Sequence, residues 1–160
     1  RTALESGADP EEHVVQHIMP TLTEHASLEF EKVFQRWVLQ KYGSIVPLVD
    51  NWWGKAVVNT TPAVGRGREK EEIDVVGLKG KKALVLGEAK WQKGKLKVSV
   101  AIDLDTCKIP SLVAAGLTVP TDLVIVLASR GGFTLDVERL ASGDPRIILL
   151  DAVTLLTEVK

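Results

Sequence analysis

Asp74 interrupts an apolar, β-branched stretch, Ile73 to Val76, and Glu88-Ala89-Lys90 closes a second apolar stretch that begins at Ala83. Between them lies Lys79-Gly80-Lys81-Lys82, a break that reads as the turn of a β-hairpin. Side chains alternate with a period of two along a strand. Asp74 therefore shares a face with Glu72 and Val76, and Glu88 shares one with Leu86 and Lys90. With the turn centred near Gly80 and Lys81, antiparallel pairing sets Asp74 opposite residues 86 to 88. Two carboxylates and one ammonium then converge on one spot.

A carboxylate set among Val75, Val76, Leu84, Val85 and Leu86 loses hydration unless a cation or a donor compensates it. Two neighbouring carboxylates also repel, and a hard divalent cation between Asp74 and Glu88 relieves both costs. Mg²⁺ takes oxygen ligands and keeps several waters, so these two acids, the backbone carbonyl of Ala89 and phosphate oxygens would complete its shell. Lys90 is placed to position or deprotonate an attacking water, or to stabilise charge developing on phosphorus. The reaction such a set suits is metal-assisted hydrolysis of a phosphodiester. A purely structural hairpin would instead direct Asp74 and Glu88 to solvent on opposite faces, in ion pairs of little energetic weight.

The elements that must hold these residues follow from periodicity. Phe30, Val33, Phe34, Trp37 and Val38 fall at helical spacing within Ser27 to Tyr42, and Gly43 and Pro47 end that helix. An earlier helical stretch, Glu11 to Met19, is expected to stop before Pro20. Trp52 to Val58 reads as a strand and Thr60 to Arg68 as a loop, ahead of the hairpin strands Glu72 to Leu78 and Ala83 to Lys90. Lys97 to Ala115 reads as a crossover helix that Pro110 must bend or end. Leu123 to Leu127 and Ile147 to Leu150 are buried-type strands joined by a helix over Leu135 to Leu140. The order α-β-β-β-α-β-α-β predicts an α/β domain, a mixed sheet flanked by helices, over residues 27–160, with residues 1–26 as an N-terminal helical extension.

Composition removes whole classes of function. The 160 residues are 45% hydrophobic and 26% charged, an ordinary globular balance that excludes disordered and fibrous chains. Apolar runs such as Leu123 to Ser129 fall far short of the roughly 18 residues of a membrane span, and the opening RTALESGADPEE lacks the form of a secretory signal. No membrane partner is expected, and the cytoplasm is the expected compartment. The single cysteine, Cys107, excludes an internal disulfide and suits a reducing environment. A chain that starts at Arg1 is expected to be a piece of a longer protein.

Net charge is -1, yet 10 of the 20 Lys and Arg lie between residues 66 and 97. That block, from Arg66 to Lys97, reads either as an electropositive face for a polyanion or as a solvated hairpin. His13 and His17 stand four apart but are not part of an HExxH motif, and a polar helix face accounts for them. Of the adjacent Trp52 and Trp53, one must face each side of a strand.

At Asp74 and Glu88-Ala89-Lys90 the sequence resembles the PD-(D/E)XK nuclease superfamily, whose pattern is an acid on one strand and (D/E)-x-K on the next. The proline that usually precedes the first acid is absent, and Ile73 stands there. LEFEKVFQRWV (Leu28 to Val38), NWW (Asn51 to Trp53), EEIDVVG (Glu71 to Gly77), LGEAKW (Leu86 to Trp91) and SRGGF (Ser129 to Phe133) follow in that order. Together they look like the nuclease-like C-terminal domain attached to archaeal-type AAA ATPases. The resemblance implies a restriction-endonuclease-like mixed sheet of four or five strands between helices, Mg²⁺ as cofactor with Mn²⁺ as substitute, and DNA as substrate. It also implies an AAA ATPase domain in the same chain as a partner, with a second copy of the chain as a further candidate. A glutamate on the first helix often assists the metal site in that superfamily, and the Phe30-Glu31 pair puts Glu31 in this role. The alternative function is a non-catalytic regulatory or DNA-binding domain of an AAA ATPase that keeps the nuclease-like fold. No nucleotide-binding loop is present; Gly77 to Lys82 is too short and lacks the Ser or Thr.

Overall fold

A computed structural model describes residues 16, 19–57 and 69–160. The His13 and His17 pair and the loop read over Thr60 to Arg68 lie outside these residues, as does nearly all of the helical stretch read over Glu11 to Met19. Five strands form one sheet whose spatial order is the sequence order: β1 (Leu48–Lys55), β2 (Lys70–Lys79), β3 (Lys82–Lys90), β4 (Val124–Ser129) and β5 (Ile147–Asp151). The first three strands are antiparallel, and β3, β4 and β5 run parallel. The predicted α/β class with a mixed sheet between helices is the observed one.

Helices cover both faces. On one side lie α1 (Met19–Tyr42) and a short C-terminal α5 (Ala152–Glu158); Phe30, Phe34, Trp37 and Val38 of α1 and Leu155 of α5 share a core with Val75, Val85, Val126 and Leu150. Trp37 Nε1 donates to Glu158 Oε2 at 2.7 Å and ties the two helices together. On the other side, Leu104, Leu112 and Val137 pack against Ile73, Leu86, Ile125 and Leu127. Those three side chains come from a helical run, α2 (Val98–Asp103), a π-helical turn (Leu104–Lys108) and α3 (Ile109–Ala114), and from α4 (Leu135–Gly143).

Three local expectations need correction. The first helix does not begin at Ser27: α1 starts at Met19 with Pro20 in its first turn, where a missing N–H removes no intrahelical bond, and it runs through the boundary drawn at residue 26. The first strand begins at Leu48 rather than Trp52, because Leu48, Val49 and Asp50 already pair with Leu78, Gly77 and Val76. Pro110 neither ends the crossover helix nor leaves it regular. Ile109 N–H reaches back five residues to the Leu104 carbonyl, a π turn, and Pro110 sits at the start of α3.

The basic block is divided as well. Lys79, Lys81 and Lys82 stand at the hairpin tip, eight residues of β3 away from Lys90, which is about 26 Å along an extended strand. Among the described residues the block is thus split between the hairpin tip and the far end of β3. The tip turns tightly on Gly80, whose φ of 60° suits the first central position of a two-residue hairpin loop.

Candidate active site

Two bulges bring the acids together. From Lys79↔Lys82 and Leu78↔Ala83 the register steps to Gly77↔Val85, which leaves Leu84 as an extra residue on β3. Without it, Glu88 would pair one position out of step and its side chain would leave on the other face. With it, the register runs through Val75↔Gly87, and the next position sets Asp74 against Glu88. On the other edge of β2, Asp50↔Val76 and Trp52↔Ile73 leave Asp74 and Val75 together opposite Asn51. Ile73 and Val76, three residues apart, accordingly share one core while Val75 faces the other. Strict alternation from Glu72 to Val76 does not hold here.

At this point the strands part, and the Asp74 carboxylate does what the backbone ladder no longer does: Ala89 N–H donates to Asp74 Oδ2 at 2.8 Å. N–H and C=O of one strand residue point to the same neighbour, so the Ala89 carbonyl also looks toward Asp74. Asp74 is 8% exposed and Glu88 1%. Glu88 Oε1 accepts from Lys108 Nζ at 2.6 Å, and Glu88 Oε2 lies 3.5 Å from Lys90 Nζ. Asp74, Glu88, Lys90 and Lys108 line one cleft of about 270 Å³, with Lys70, Glu71 and Glu72 on its β2 side. The arrangement of a structural hairpin, with both acids in solvent on opposite faces, is not the one observed.

Electrostatics follow from burial. Removal from water, reinforced by the Asp74 charge, pushes Glu88 up to about 7, against the pull of Lys108 and Lys90. Glu31, on α1, is raised by desolvation first and then by the nearby charges of Asp74 and Glu72, while Lys90 pulls it down. It thus senses the same acids from the opposite helix layer, although it is not among the residues lining the cleft. One turn further along α1, Gln35 Nε2 donates to the Asp74 carbonyl at 3.1 Å, which fastens α1 to β2 beside the acid. Glu72 is also raised, by burial and then by Asp74.

Sequence reasoning passed over Lys108. The available signal was its place four residues from both Leu104 and Leu112, a lysine at a core position of an apolar helix pattern. All three side chains are buried, and the wide π turn offsets the drift that a four-residue spacing has in a regular helix. The tryptophans divide as parity requires: Trp52 packs into the core and Trp53 is 62% exposed. Trp91 packs against Phe30 at 5.2 Å between ring centroids, and Arg130 stacks over it at 4.6 Å. Cys107 is buried within the π turn, next to Lys108 in sequence. Among the described residues no group of three or more His, Cys, Asp and Glu forms a metal cage, and no helix is long and apolar enough to cross a membrane.

Fold and site together define a class, a mixed-sheet α/β domain that gathers two buried acids and two lysines where its central hairpin splits. The chain belongs to DUF234, described as archaeal and bacterial proteins of unknown function, whose sequence pattern matches residues 1–102. That span includes Asp74, Glu88 and Lys90 and stops short of Lys108. No curated protein and no solved structure matches the chain.

Proposed function

We propose that this domain is a metal-dependent nuclease of restriction-endonuclease-like type, hydrolysing phosphodiester bonds of DNA in the cytoplasm. One observation carries the reading: Asp74 and Glu88, both under a tenth exposed, meet at the split of the hairpin with Lys90 Nζ 3.5 Å from Glu88. The donor set fits a divalent cation. The repulsion that Asp74 exerts on a desolvated Glu88 is relieved by positive charge between them, and the Ala89 carbonyl adds a third oxygen on the same side. Asp74, Glu88 and Ala89 would hold Mg²⁺, or Mn²⁺ in its place, and the ion, when bound, supplies positive charge to the phosphate oxygens.

In the reaction a water oxygen bonds to phosphorus and the bond from phosphorus to one sugar oxygen breaks, leaving a phosphate monoester and a free hydroxyl. Lys90 orients the attacking water or takes its proton, and as an ammonium it steadies charge on the phosphoryl oxygens. Glu31, close enough to interact with Asp74, assists from α1. Lys93, Lys95 and Arg130, exposed beyond the ends of β3 and β4, offer phosphate contacts on the approach. An AAA ATPase domain in the same chain and a second copy of the chain are the protein partners this reading includes.

A second reading, a regulatory or DNA-binding domain of an AAA ATPase without hydrolytic duty, draws on Trp53 and Leu48, both more than half exposed on the outer strand β1. Incubation with plasmid and linear DNA in Mg²⁺, in Mn²⁺ and in EDTA separates the two. Cleavage in the two metals and none in EDTA is the expected result. Intact DNA in every lane would favour the second reading.

A further inference from the structure

Lys108 is the one group at the cleft that arrives from the crossover helix, and its position is closely determined. Its Nζ meets Glu88 Oε1 at 2.6 Å, a charge-assisted contact with only 10% of the lysine side chain exposed. The π turn that carries it is anchored by Leu104 and followed by Leu112, both fully buried, which fixes the backbone from which the ammonium reaches Glu88. The two carboxylate oxygens of Glu88 are thereby made unequal. Oε1 is taken up at short range, whereas Oε2 has Lys90 at 3.5 Å, too long for a good hydrogen bond. Lys90 is the more exposed of the two lysines, with 38% of its side chain accessible, and can move as a ligand enters.

We infer that Lys108 is a positioning residue for metal binding: it holds Glu88 by Oε1 and so presents Oε2 to the cation that Asp74 shares. This rests on the nuclease reading and adds to it a residue that acts through Glu88 without touching substrate. A lysine this close to a metal ligand carries an opposite electrostatic effect, since its charge repels the cation. The geometry decides between them, because Lys108 is seated on Oε1 while Lys90 approaches Oε2, and it gives a carboxylate 1% exposed a short charge-assisted hydrogen bond.

The test is a calorimetric titration of the metal-free protein with Mn²⁺ alone, on the wild type, Asp74→Asn, Lys108→Met and Lys108→Arg, each checked for folding by circular dichroism. The expected result is binding by the wild type, loss in Asp74→Asn, affinity weakened about tenfold or more in Lys108→Met, and a smaller loss in Lys108→Arg. Lys108→Met that binds Mn²⁺ as tightly as the wild type, or more tightly, would overturn the inference while leaving the nuclease reading in place. Equal losses in the Met and Arg variants would assign the effect to packing and overturn it too. A wild type that binds no Mn²⁺, or an Asp74→Asn that binds normally, removes the nuclease reading and this inference with it. If Lys108→Met does not fold, Lys108→Gln, which keeps a donor and loses the charge, is judged by the same criteria.

Discussion

Asp74→Ala and Lys90→Ala will each reduce Mg²⁺-supported cleavage by about 10³-fold, and they will do so for different reasons. Asp74 supplies one of two carboxylates to the cation and also accepts the Ala89 N–H, so its loss removes the ion and leaves a buried donor at the split of β2 and β3. Excess Mn²⁺ will not restore that variant. Lys90 is not proposed as a metal ligand. Its ammonium is 38% exposed at the mouth of the cleft, placed for water and phosphate, so Lys90→Ala will bind Mn²⁺ as well as the wild type, or slightly better, while turning over poorly. Single-turnover cleavage at saturating metal, set beside a Mn²⁺ isotherm, measures both quantities. Cleavage at the wild-type rate in both variants would refute the assignment of the site, and loss of Mn²⁺ binding in Lys90→Ala would make that lysine structural.

The metal-free protein will lose stability as pH rises from about 4.5 to about 7, and a divalent cation will return much of it. In the folded chain Glu88 keeps its proton up to about pH 7; in the unfolded chain it releases it near the ordinary value of 4.5. Between those values the folded state binds more protons than the unfolded state, so the free energy of unfolding falls as pH increases, and the loss is complete above about 7. Glu31 and Glu72, both raised by burial and by Asp74, act in the same direction. For Glu88 the effect is of the order of 3 kcal/mol, because a tenfold change in proton affinity is worth about 1.4 kcal/mol. A cation that binds the ionised carboxylates reverses the preference, and at a hundred times its dissociation constant it adds about 2.7 kcal/mol. Urea unfolding midpoints at pH 5, 6, 7 and 8, in EDTA and in Mn²⁺, give the comparison. A flat profile in EDTA over that range would contradict the account of Glu88 as a desolvated acid beside a second charge.

Much of this architecture could be read from periodicity because the strands alternate cleanly where both faces are buried. Val124 to Ala128 and Ile147 to Leu150 divide their side chains between two cores residue by residue, and the hairpin announces itself through its lysine and glycine turn. Asp74, Glu88 and Lys90 stood out for the same reason, as charges inside apolar strands. What escaped is what breaks the period. Leu84 is an apolar residue among apolar residues, and nothing in its type marks it as the extra one. The pairing of Asp74 could thus be placed only to within residues 86 to 88. Lys108 escaped because a lone lysine in an amphipathic helix reads as a solvated face, and the π turn that carries it inward has no composition of its own. The divided basic block is a matter of length: charges close in sequence are carried far apart by an extended strand. The C-terminal helix α5 is short, but it had a legible start, since Asp151 accepts from Thr154 N–H at 2.8 Å as an N-cap does.

The extra residue on β3 sets a rule for which changes in chain length this domain can absorb. The tip at Gly80 and Lys81 lies upstream of the step in register, and β4 clamps β3 from Val85 to Lys90 on its far side. Insertions at the tip can lengthen the loop without rotating anything downstream. One residue gained or lost between Leu84 and Gly87 is a different matter, for it inverts Glu88 and Lys90 together toward α1 and strands Asp74 and Lys108 without their counterparts. Drift in the length of this gene segment is therefore free at one end of a single hairpin and forbidden at the other.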